Sequence, residues 1–378
     1  MRALIVGAGI GGLVTAHALT RCGLDVTVLE REPALHPAGA GIILWPPALV
    51  ALGALGLAEP VEAAGSRLAW AETRTWRGGL LLRLPLAALS QRLGAPTIAL
   101  HRAELQQALL GALDPATLRL GADFVRFDQD RASVRAHVAD GVSACGDLLI
   151  GADGVRSTVR ARLLLDGPPR YAGYTAWRGV TMGDVVPPDT TWELMGRGAR
   201  FGAAPIGRGR IYWWATANVP AGEVDPPQGR KADLEARFAG WWAPVRELIA
   251  STPDAAILRH DILDRDPVDR WGIGRVTLLG DAAHPMTPNL GQGACQAIAD
   301  AVALATALAR EDDVVAALRA YEAARRARTA RLTTQSRHFG QIGQWQHPVA
   351  CWLRDLAFRL TPPRLALRQM EALLRPGP

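Results

Sequence analysis

Lysine and cysteine are both scarce in this chain of 378 residues. Lys231 is the only lysine, so 41 of the 42 basic residues are arginines. The four cysteines lie far apart, with no CxxC pair and no spacing typical of a zinc site. This pattern argues against a disulfide framework and predicts reduced thiols in a cytoplasmic protein that binds no metal.

Positive charge is in excess, but it is concentrated at one end of the chain. The formal net charge is +6. Residues 321–378 contain ten arginines and three acidic residues, so the rest of the chain is almost neutral. No nucleic-acid recognition motif accompanies these arginines. We therefore expect no nucleic-acid partner, and we treat residues 321–378 as a basic C-terminal helical region.

Long uncharged stretches are rare, and the longest candidate is interrupted. Residues 34–58 contain no Asp, Glu, Lys or Arg, and this length is sufficient to span a bilayer. Pro37, Pro46, Pro47 and four glycines break the stretch, and a lipid-exposed helix does not tolerate so many breaks. We predict a buried loop and a short helix here, with membrane contact peripheral at most.

The order of apolar runs indicates a mixed α/β protein of about two domains. Buried strands are predicted at residues 3–6, 26–29, 147–150 and 275–279, and helices at 13–21, 101–113, 231–250, 292–309 and from 313 onward. Runs at 191–195, 200–205 and 211–217, separated by glycine-containing turns, predict an antiparallel meander. The pattern predicts a parallel α/β domain interrupted by an antiparallel sheet and followed by a helical tail.

The first chemical motif is a glycine-rich turn between a strand and a helix. Gly7, Gly9 and Gly12 form a GxGxxG pattern that includes Gly11, and the second strand is followed by Glu30. The three glycines suit a tight turn, the approach of a pyrophosphate, and close packing of helix on strand. Glu30 is placed to accept hydrogen bonds from ribose hydroxyls. The motif predicts one bound dinucleotide, either NAD or FAD.

A second motif follows the strand at residues 147–150. Asp153 and Gly154 place a carboxylate and a backbone turn beside the phosphates of the cofactor. Ser157, three residues further on, has two readings: it belongs to this motif, or it is only the N-cap of the next helix.

A third motif follows the strand at residues 275–279. Asp281 can hold polyol hydroxyls, and the helix start at 291–293 presents unpaired N–H groups and a positive dipole. Such a helix start, aimed at a flavin pyrimidine ring, would stabilise the anionic reduced flavin. His284 lies between these features, and we expect it to be a capping or packing residue rather than a catalytic one.

Together and in this order, the three motifs resemble those of the class A FAD-dependent monooxygenases, the family of the aromatic hydroxylases. The resemblance covers roughly residues 2–330. It implies an α/β fold with a Rossmann-like FAD-binding domain, an inserted antiparallel β-sheet substrate domain and C-terminal helices. The implied FAD-binding domain comprises residues 1–70, 98–165 and 265–320, and the substrate domain comprises residues 71–97 and 166–264.

The resemblance also implies which residues hold the cofactor. The glycine motif and Glu30 would hold the ADP half of FAD, Arg102 would lie near the pyrophosphate, and Asp281 would contact the ribityl chain. Asp153 would serve both FAD and NAD(P)H. The full implied set is Gly7, Gly9, Gly11, Gly12, Glu30, Arg31, Arg102, Asp153, Asp281, Gly291 and Gly293.

A loop that borders the flavin in this family departs from the family pattern here. Relatives commonly carry Arg or Lys at the position of His36 and Asn at the position of Pro47. Because of this departure, the resemblance does not extend to a cationic contact from this loop.

The implied chemistry needs neither a metal nor a nucleophile triad. NAD(P)H reduces the flavin, O₂ adds to give a C4a-hydroperoxide, and the distal oxygen passes to an electron-rich substrate. Only one dinucleotide fold is present, so NAD(P)H would bind transiently. Two alternatives stay open: a flavin-dependent oxidoreductase without oxygen transfer, and a non-enzymatic dinucleotide-binding protein. A flavin-dependent halogenase is disfavoured, since the sequence contains no Trp-x-Trp-x-Ile-Pro stretch.

The substrate, a small molecule, is expected to lie at the meander. Arg200 and Tyr212 fall on adjacent strands of one hairpin, where they could hold an oxygen-rich or anionic ring. This stretch resembles bacterial FAD-dependent urate hydroxylases, which carry an Asp where this chain has Asn289. Because an amide cannot act as a base, we predict poor urate hydroxylation and a different, aromatic substrate. The predicted catalytic set is Arg200, Tyr212, Pro288 and Asn289.

These assignments have alternatives. Arg200 could be a solvated strand residue, and Tyr212 could belong to the core. In the basic tail, one helical face carries Trp352, Leu353, Leu356 and Leu360. This face could meet a membrane surface. The interpretation that we favour is a helix packed on the FAD-binding domain, with Arg354 and Arg359 in solvent. The sequence leaves the oligomeric state undetermined.

Overall fold

The protein is described here by a computed structural model that covers residues 1–35 and 39–375. Its strands are β1 (Arg2–Val6), β2 (Asp25–Leu29), β3 (Gly41–Leu44), β4 (Ser66–Arg67), β5 (Trp70–Thr75), β6 (Leu80–Pro85), β7 (Ile98–His101), β8 (Leu118–Arg119), β9 (Phe124–Gln129), β10 (Val134–Val138), β11 (Ser143–Gly146), β12 (Leu148–Gly151), β13 (Arg170–Met182), β14 (Thr190–Met195), β15 (Ala199–Pro205), β16 (Arg210–Ala217), β17 (Leu258–Asp264), β18 (Gly272–Ile273) and β19 (Val276–Leu278).

The helices of the same part of the chain are α1 (Ile10–Arg21), α2 (Pro46–Ala54), α3 (Ala58–Ala64), α4 (Leu86–Leu93), α5 (Arg102–Leu110), α6 (Thr158–Leu164), α7 (Arg230–Arg237), α8 (Ala243–Ala250), α9 (Gly293–Arg310), α10 (Val314–Gly343), α11 (Pro348–Leu360) and α12 (Pro363–Leu374). Short 3₁₀ turns occur at Pro115–Thr117, Asp254–Ala256, Gly280–Ala282 and Pro288–Leu290.

A six-stranded sheet with the order β18-β19-β12-β1-β2-β8 forms the first layer. β1 pairs in parallel with β2 and β12, and β12 pairs in parallel with β19. Ala3, Leu4 and Ile5 of β1 are completely buried because neither face of the sheet is open to solvent. The predicted parallel α/β fold is confirmed. The C-terminal ends of β1, β12 and β19, where the three motifs begin, lie at one edge of this sheet.

A seven-stranded sheet with the order β17-β13-β16-β15-β14-β5-β6 forms the second layer. The predicted meander is confirmed as β14, β15 and β16, which pair antiparallel. One face buries Trp192, Phe201 and Trp213 in a core completed by residues of α7 and α8. Side chains alternate along each strand, so Arg200 and Tyr212 point to the opposite face.

The helix predicted at residues 231–250 is wrong as a single element. It is divided into α7 and α8 at Gly240, which has a φ of +77°. A right-handed helix does not contain this conformation, which glycine adopts readily. Pro244 then falls in the first turn of α8, where proline is tolerated.

The uncharged stretch contains a strand that the sequence did not reveal. β3 pairs antiparallel with β7 and lies next to the predicted short helix, α2. Pro46 and Pro47 open α2, where the fixed φ of proline suits the first helical turn. His36 and Pro37 lie outside the described residues. No helix in the described ranges is long and apolar enough to cross a membrane.

The C-terminal helices cover the edge of the second sheet. α9 agrees with its prediction to within one residue at each end. α11 and α12 contact β6, an edge strand, so the helix that carries Trp352 packs on the predicted substrate domain and not, as expected, on the predicted FAD-binding domain. Within residues 321–378, α10 does contact α9, where Arg325 pairs with Asp300. An edge strand presents unpaired backbone groups that a helix can cover. Arg354 is buried rather than solvated, and it donates to the carbonyl oxygens of Gly196 and Gly343.

Candidate active site

The loop after β1 has the geometry of a phosphate cradle. Gly7 has a φ of +103°, and a Cβ there would lie 2.7 Å from the carbonyl oxygen of Ala152. A Cβ on Gly12 would collide with the carbonyl oxygen of Gly7, so helix and strand approach as closely as the motif predicts. A Cβ on Gly9 would meet nothing within 4 Å. No side chain caps α1, so its first N–H groups can bind an anion.

Gly11 has a packing role besides its place in the first turn of α1. A Cβ on Gly11 would lie 3.0 Å from Leu279 and 3.3 Å from Ala297. This glycine therefore allows α1 to approach the third motif and α9. Its predicted place among the cofactor contacts stays a prediction.

Glu30 is held beside the glycine loop by backbone hydrogen bonds. Its Oε2 accepts from the Ala8 N–H at 2.7 Å, and its Oε1 accepts from the Glu32 N–H at 3.0 Å. This is the location expected of an acid that binds a ribose. Arg31 is instead directed to solvent, where its Nε lies 3.3 Å from a carboxylate oxygen of Glu32.

The second motif is organised around the start of α6. Ser157 accepts from the Arg160 N–H at 2.8 Å and donates to Asp153 Oδ1 at 2.5 Å. Asp153 Oδ2 accepts from the Val159 N–H at 3.1 Å. The reading of Ser157 as a helix cap is confirmed. Both oxygens of Asp153 are engaged within their own loop, and burial raises the pKa of this carboxyl.

A buried arginine joins the second motif to the third. Arg160 Nη1 donates to the carbonyl oxygens of Ala282 at 3.0 Å and Ala283 at 2.8 Å. Arg160 Nε donates to Asp166 at 2.7 Å, which balances its charge. The turn that carries Asp281 is therefore positioned from α6.

Asp281 presents a carboxylate that accepts no hydrogen bond from the described residues. It is exposed to solvent, yet protein surrounds it closely enough that burial raises its pKa, opposed by His284 and Arg102. Its oxygens are therefore available to accept hydrogen bonds from the hydroxyl groups of a bound molecule.

Behind this turn, a buried charged cluster holds α9 and α10 together. Asp300 accepts from His284 Nε2 at 2.6 Å, from the Gly280 N–H at 3.0 Å and from Arg325 Nε at 2.6 Å. Burial would raise the pKa of Asp300, but His284 and Arg325 hold it at about 2. The expectation that His284 is a packing residue agrees with this geometry.

The start of α9 lies beside Trp45. Gly291 has a φ of +61°, and a Cβ there would lie 3.0 Å from the indole nitrogen of Trp45. That indole N–H is buried and has no partner among the described residues. A Cβ on Gly293 would lie 3.6 Å from Asp281 Oδ1, and no side chain caps α9.

These donors and acceptors fit a flavin dinucleotide. Two uncapped helix N termini, an acid beside the glycine loop and a second acid near the start of α9 suit a long ligand with a pyrophosphate, a ribose and a polyol. Arg102 is exposed at the start of α5, and its positive charge is near enough to Asp281 to oppose the rise in the pKa of that carboxyl that burial causes.

Asn289 connects the loop before α9 to the second sheet. Its Oδ1 accepts from Arg200 Nη2 at 2.6 Å. Its Nδ2 donates to Thr287 Oγ1 at 2.8 Å and to the carbonyl oxygen of Ser336 at 2.9 Å. The Tyr174 hydroxyl lies 3.1 Å from Oδ1 and 3.0 Å from Nδ2. Every polar atom of this amide is used. Pro288, which precedes it, lies in the same 3₁₀ turn.

Arg200 is buried, so its interpretation as a solvated strand residue is wrong. Besides Asn289, it donates to Gln344 Oε1 at 3.0 Å and pairs with Glu193 Oε1 at 3.4 Å. Tyr212 is also buried, and its ring lies against Gly41 and 5.3 Å from the ring of Trp214. Arg200 and the strand partner of Tyr212, Ala204, lie four positions apart on β15, about 13 Å along the strand. The two predicted substrate contacts are therefore not neighbours.

The comparison with known proteins agrees with this site. A family model described as an FAD binding domain matches residues 1–336. The chain belongs to this family. It is a class A FAD-dependent monooxygenase, which confirms the predicted class, the cofactor FAD and the use of NAD(P)H and O₂.

Two curated relatives and one solved structure illustrate the similarity. The chain is 46% identical over 94% of its length to the aurachin C monooxygenase/isomerase of Stigmatella aurantiaca, covering 93% of that protein. It is 38% identical over 94% of its length to an FAD-dependent urate hydroxylase of Klebsiella pneumoniae, covering 94% of it. The structure of Klebsiella pneumoniae HpxO complexed with FAD and uric acid matches with a TM-score of 0.95 and 35% identity, over 100% of this chain and 97% of that one.

Sequence reasoning missed several members of this monooxygenase's polar network, among them Gln344 and Tyr174. Gln344 lies 144 positions from Arg200, just beyond the end of α10, and no motif marks it. Tyr174 belongs to the aromatic-rich stretch at the start of the meander region, which was a usable signal. Burial raises the pKa of Tyr174, so its hydroxyl stays neutral.

Proposed function

We propose that this monooxygenase adds oxygen to a neutral, electron-rich aromatic substrate and that it hydroxylates urate poorly. The observation that carries this proposal is the engagement of Arg200. Its side chain is 2% exposed, and each of its three guanidinium nitrogens donates to one protein partner, Gln344, Glu193 or Asn289. An anionic ring would have to displace these partners to reach the charge.

The relatives support a substrate other than urate. The relative named aurachin C monooxygenase/isomerase is 46% identical to this chain, whereas the urate hydroxylases of Klebsiella pneumoniae are 38% identical. The names of the latter proteins specify urate, and the amide at Asn289 argues against urate as the substrate of this chain. A shared fold does not require a shared substrate, because the substrate is determined by the side chains of the site.

The cofactor contacts are part of the proposal. Glu30 would accept hydrogen bonds from the ribose, and the N–H groups around Gly9 would bind the pyrophosphate. Asp281 would accept from the ribityl hydroxyls, and the start of α9 at Gly293 would face the flavin ring. Arg102 would neutralise phosphate charge. When bound, FAD supplies the oxygen-transfer chemistry, and the protein orients the substrate and excludes water.

The residues at the second sheet would act without a general base. Asn289 cannot accept a proton, and burial raises the pKa of Tyr174 and Tyr212, so both hydroxyls stay protonated. A substrate that must lose a proton before oxygen transfer would need a base. The carboxylate in this network is Glu193, which pairs with Arg200 and accepts a hydrogen bond from Trp214. The site therefore suits rings that are electron-rich as neutral molecules.

A coupled assay tests this function. Phenols, quinolones, purines and urate would each be incubated with the FAD-loaded enzyme, NAD(P)H and O₂, with NAD(P)H oxidation, H₂O₂ and product measured together. We expect at least one neutral aromatic to give product in a near-equal ratio to NAD(P)H consumed. Rapid urate hydroxylation with the same coupling would overturn the proposal.

A further inference from the structure

The C-terminal helices carry an apolar surface that faces solvent. We define the tail surface as Val349, Trp352, Leu353 and Leu360 of α11, which are 57%, 61%, 51% and 71% exposed. Large apolar side chains clustered on one face of a folded protein mark an interaction site more often than scattered ones do.

The exposed apolar residues of α11 lie on a single side of the helix. Val349, Trp352, Leu353 and Leu360 are spaced by three, one and seven residues, so they lie on one side of the helix. The opposite side holds Cys351 and Arg354, which are buried against Gly196 and the end of α10. A helix on the surface of a globular protein usually turns its apolar stripe inward. α11 does the reverse.

Unpaired positive charge borders the tail surface. Arg359, Arg364 and Arg368 are exposed, and none of them forms an ion pair with a residue in the described ranges. The nearby acids are already engaged: Asp355 pairs with Arg354, and Glu371 pairs with Arg92 and Arg375.

We propose that the tail surface docks on an anionic lipid membrane, with α11 lying in the plane of the interface. Tryptophan and leucine would enter the headgroup boundary, while the arginines would contact lipid phosphates. A second copy of the chain fits less well, because two such surfaces would bring like charges together without acids to pair them. α11 has 13 residues, too few to cross a bilayer, so the contact is peripheral.

The docking surface is connected to the active site through the chain itself. Gln344, which accepts from Arg200, lies four residues before α11. A Cβ on Gly343 would lie 3.0 Å from the Arg200 side chain. Docking would therefore bring the network around Arg200 and Asn289 close to the lipid surface. This consequence does not depend on which aromatic ring the enzyme oxidises.

Vesicle flotation of the FAD-loaded enzyme tests the proposal. The wild type should float with phosphatidylcholine–phosphatidylglycerol vesicles and much less with pure phosphatidylcholine. Its binding should weaken as salt rises, because the arginine contacts are screened. Trp352→Ser combined with Leu353→Ser should reduce binding at least about tenfold, since two large apolar groups no longer enter the interface.

The matched control is Met182→Ser combined with Val224→Ser, which removes two apolar side chains that are 65% and 83% exposed elsewhere. This control should float like the wild type, and bound flavin absorbance verifies that each variant is folded. Three results would overturn the proposal: no flotation of the wild type, equal flotation of the Trp352/Leu353 variant, or a wild-type dimer in solution that this variant abolishes.

Discussion

Arg200 Nη2 lies 2.6 Å from Asn289 Oδ1, and this hydrogen bond joins the second sheet to the loop that leads into α9. The two residues belong to different layers of the fold and are 89 positions apart. Because Asn289 also binds Thr287 and Ser336, the sheet, the loop and α10 are fixed relative to one another. The arginine that the sequence suggested as a substrate contact is thus engaged in positioning the loop.

Asp281→Ala should release FAD. The carboxylate accepts no hydrogen bond from the residues that the structure describes, so its hydrogen bonds are expected to go to the cofactor. Each bond to a charged group contributes about 1.5–3 kcal/mol. FAD affinity should fall at least about tenfold, measured by flavin fluorescence on dilution.

The control for this variant is Asp269→Ala, an exposed carboxylate away from the three motifs. It should retain flavin fully. Equal flavin retention by Asp281→Ala and Asp269→Ala would contradict the assignment of Asp281 to the cofactor.

Asp300 should make stability depend on pH in the acid range. Its pKa is about 2 in the folded protein, below its usual value near 3.8. The ionised form is therefore favoured by folding, and this contribution is complete above about pH 4 and is lost as pH falls toward 2. Urea denaturation at several pH values should show the loss in the wild type.

Asp300→Asn should flatten this dependence and cost about 3–5 kcal/mol at neutral pH, because Arg325 would stay buried without a counter-charge. Asp128→Asn, at an exposed carboxylate whose pKa Arg126 lowers, should change stability little. If the two variants unfold at the same urea concentration, the Asp300 cluster does not hold α9 and α10 together.

Gly41→Ala should disturb Tyr212. A Cβ on Gly41 would overlap the Tyr212 ring, so the ring or strand β3 must move, at a cost of about 1–3 kcal/mol. Gly53→Ala is the matched control, since its Cβ would meet only Ala58 at 3.8 Å within a helix. The control should be neutral or stabilising by about 0.5–1 kcal/mol. Thermal denaturation distinguishes the pair, and equal melting temperatures would contradict the packing described.

The fold was predictable because its signals are local. Strands such as β1 and β2 are short apolar runs, the glycine turn follows directly, and each acid of the three motifs follows a buried strand. β3 was missed because Gly41–Leu44 lies between breakers and pairs with β7, more than 50 residues away. The division of residues 231–250 depended on the conformation of Gly240, which periodicity does not report.

The candidate site was predicted less completely because its polar network is assembled from distant segments. Arg200, Asn289 and Gln344 come from a strand, a loop and the residue after α10, and their contacts require the tertiary fold. The sequence identified Arg200 and Asn289 separately. It did not reveal that the Asn289 amide would accept a hydrogen bond from the Arg200 guanidinium. The sequence therefore predicted an arginine available to an anionic ring.

Arg200→Met tests most directly whether Arg200 positions the loop or binds substrate. For the best aromatic substrate found in the coupled assay, kcat and the product formed per NAD(P)H should fall about tenfold or more, while KM changes by less than about threefold. Arg208→Met, at an exposed arginine of the same hairpin, should leave all three values unchanged. A KM raised about tenfold or more with kcat and coupling intact would show that Arg200 binds the substrate, and would contradict this account.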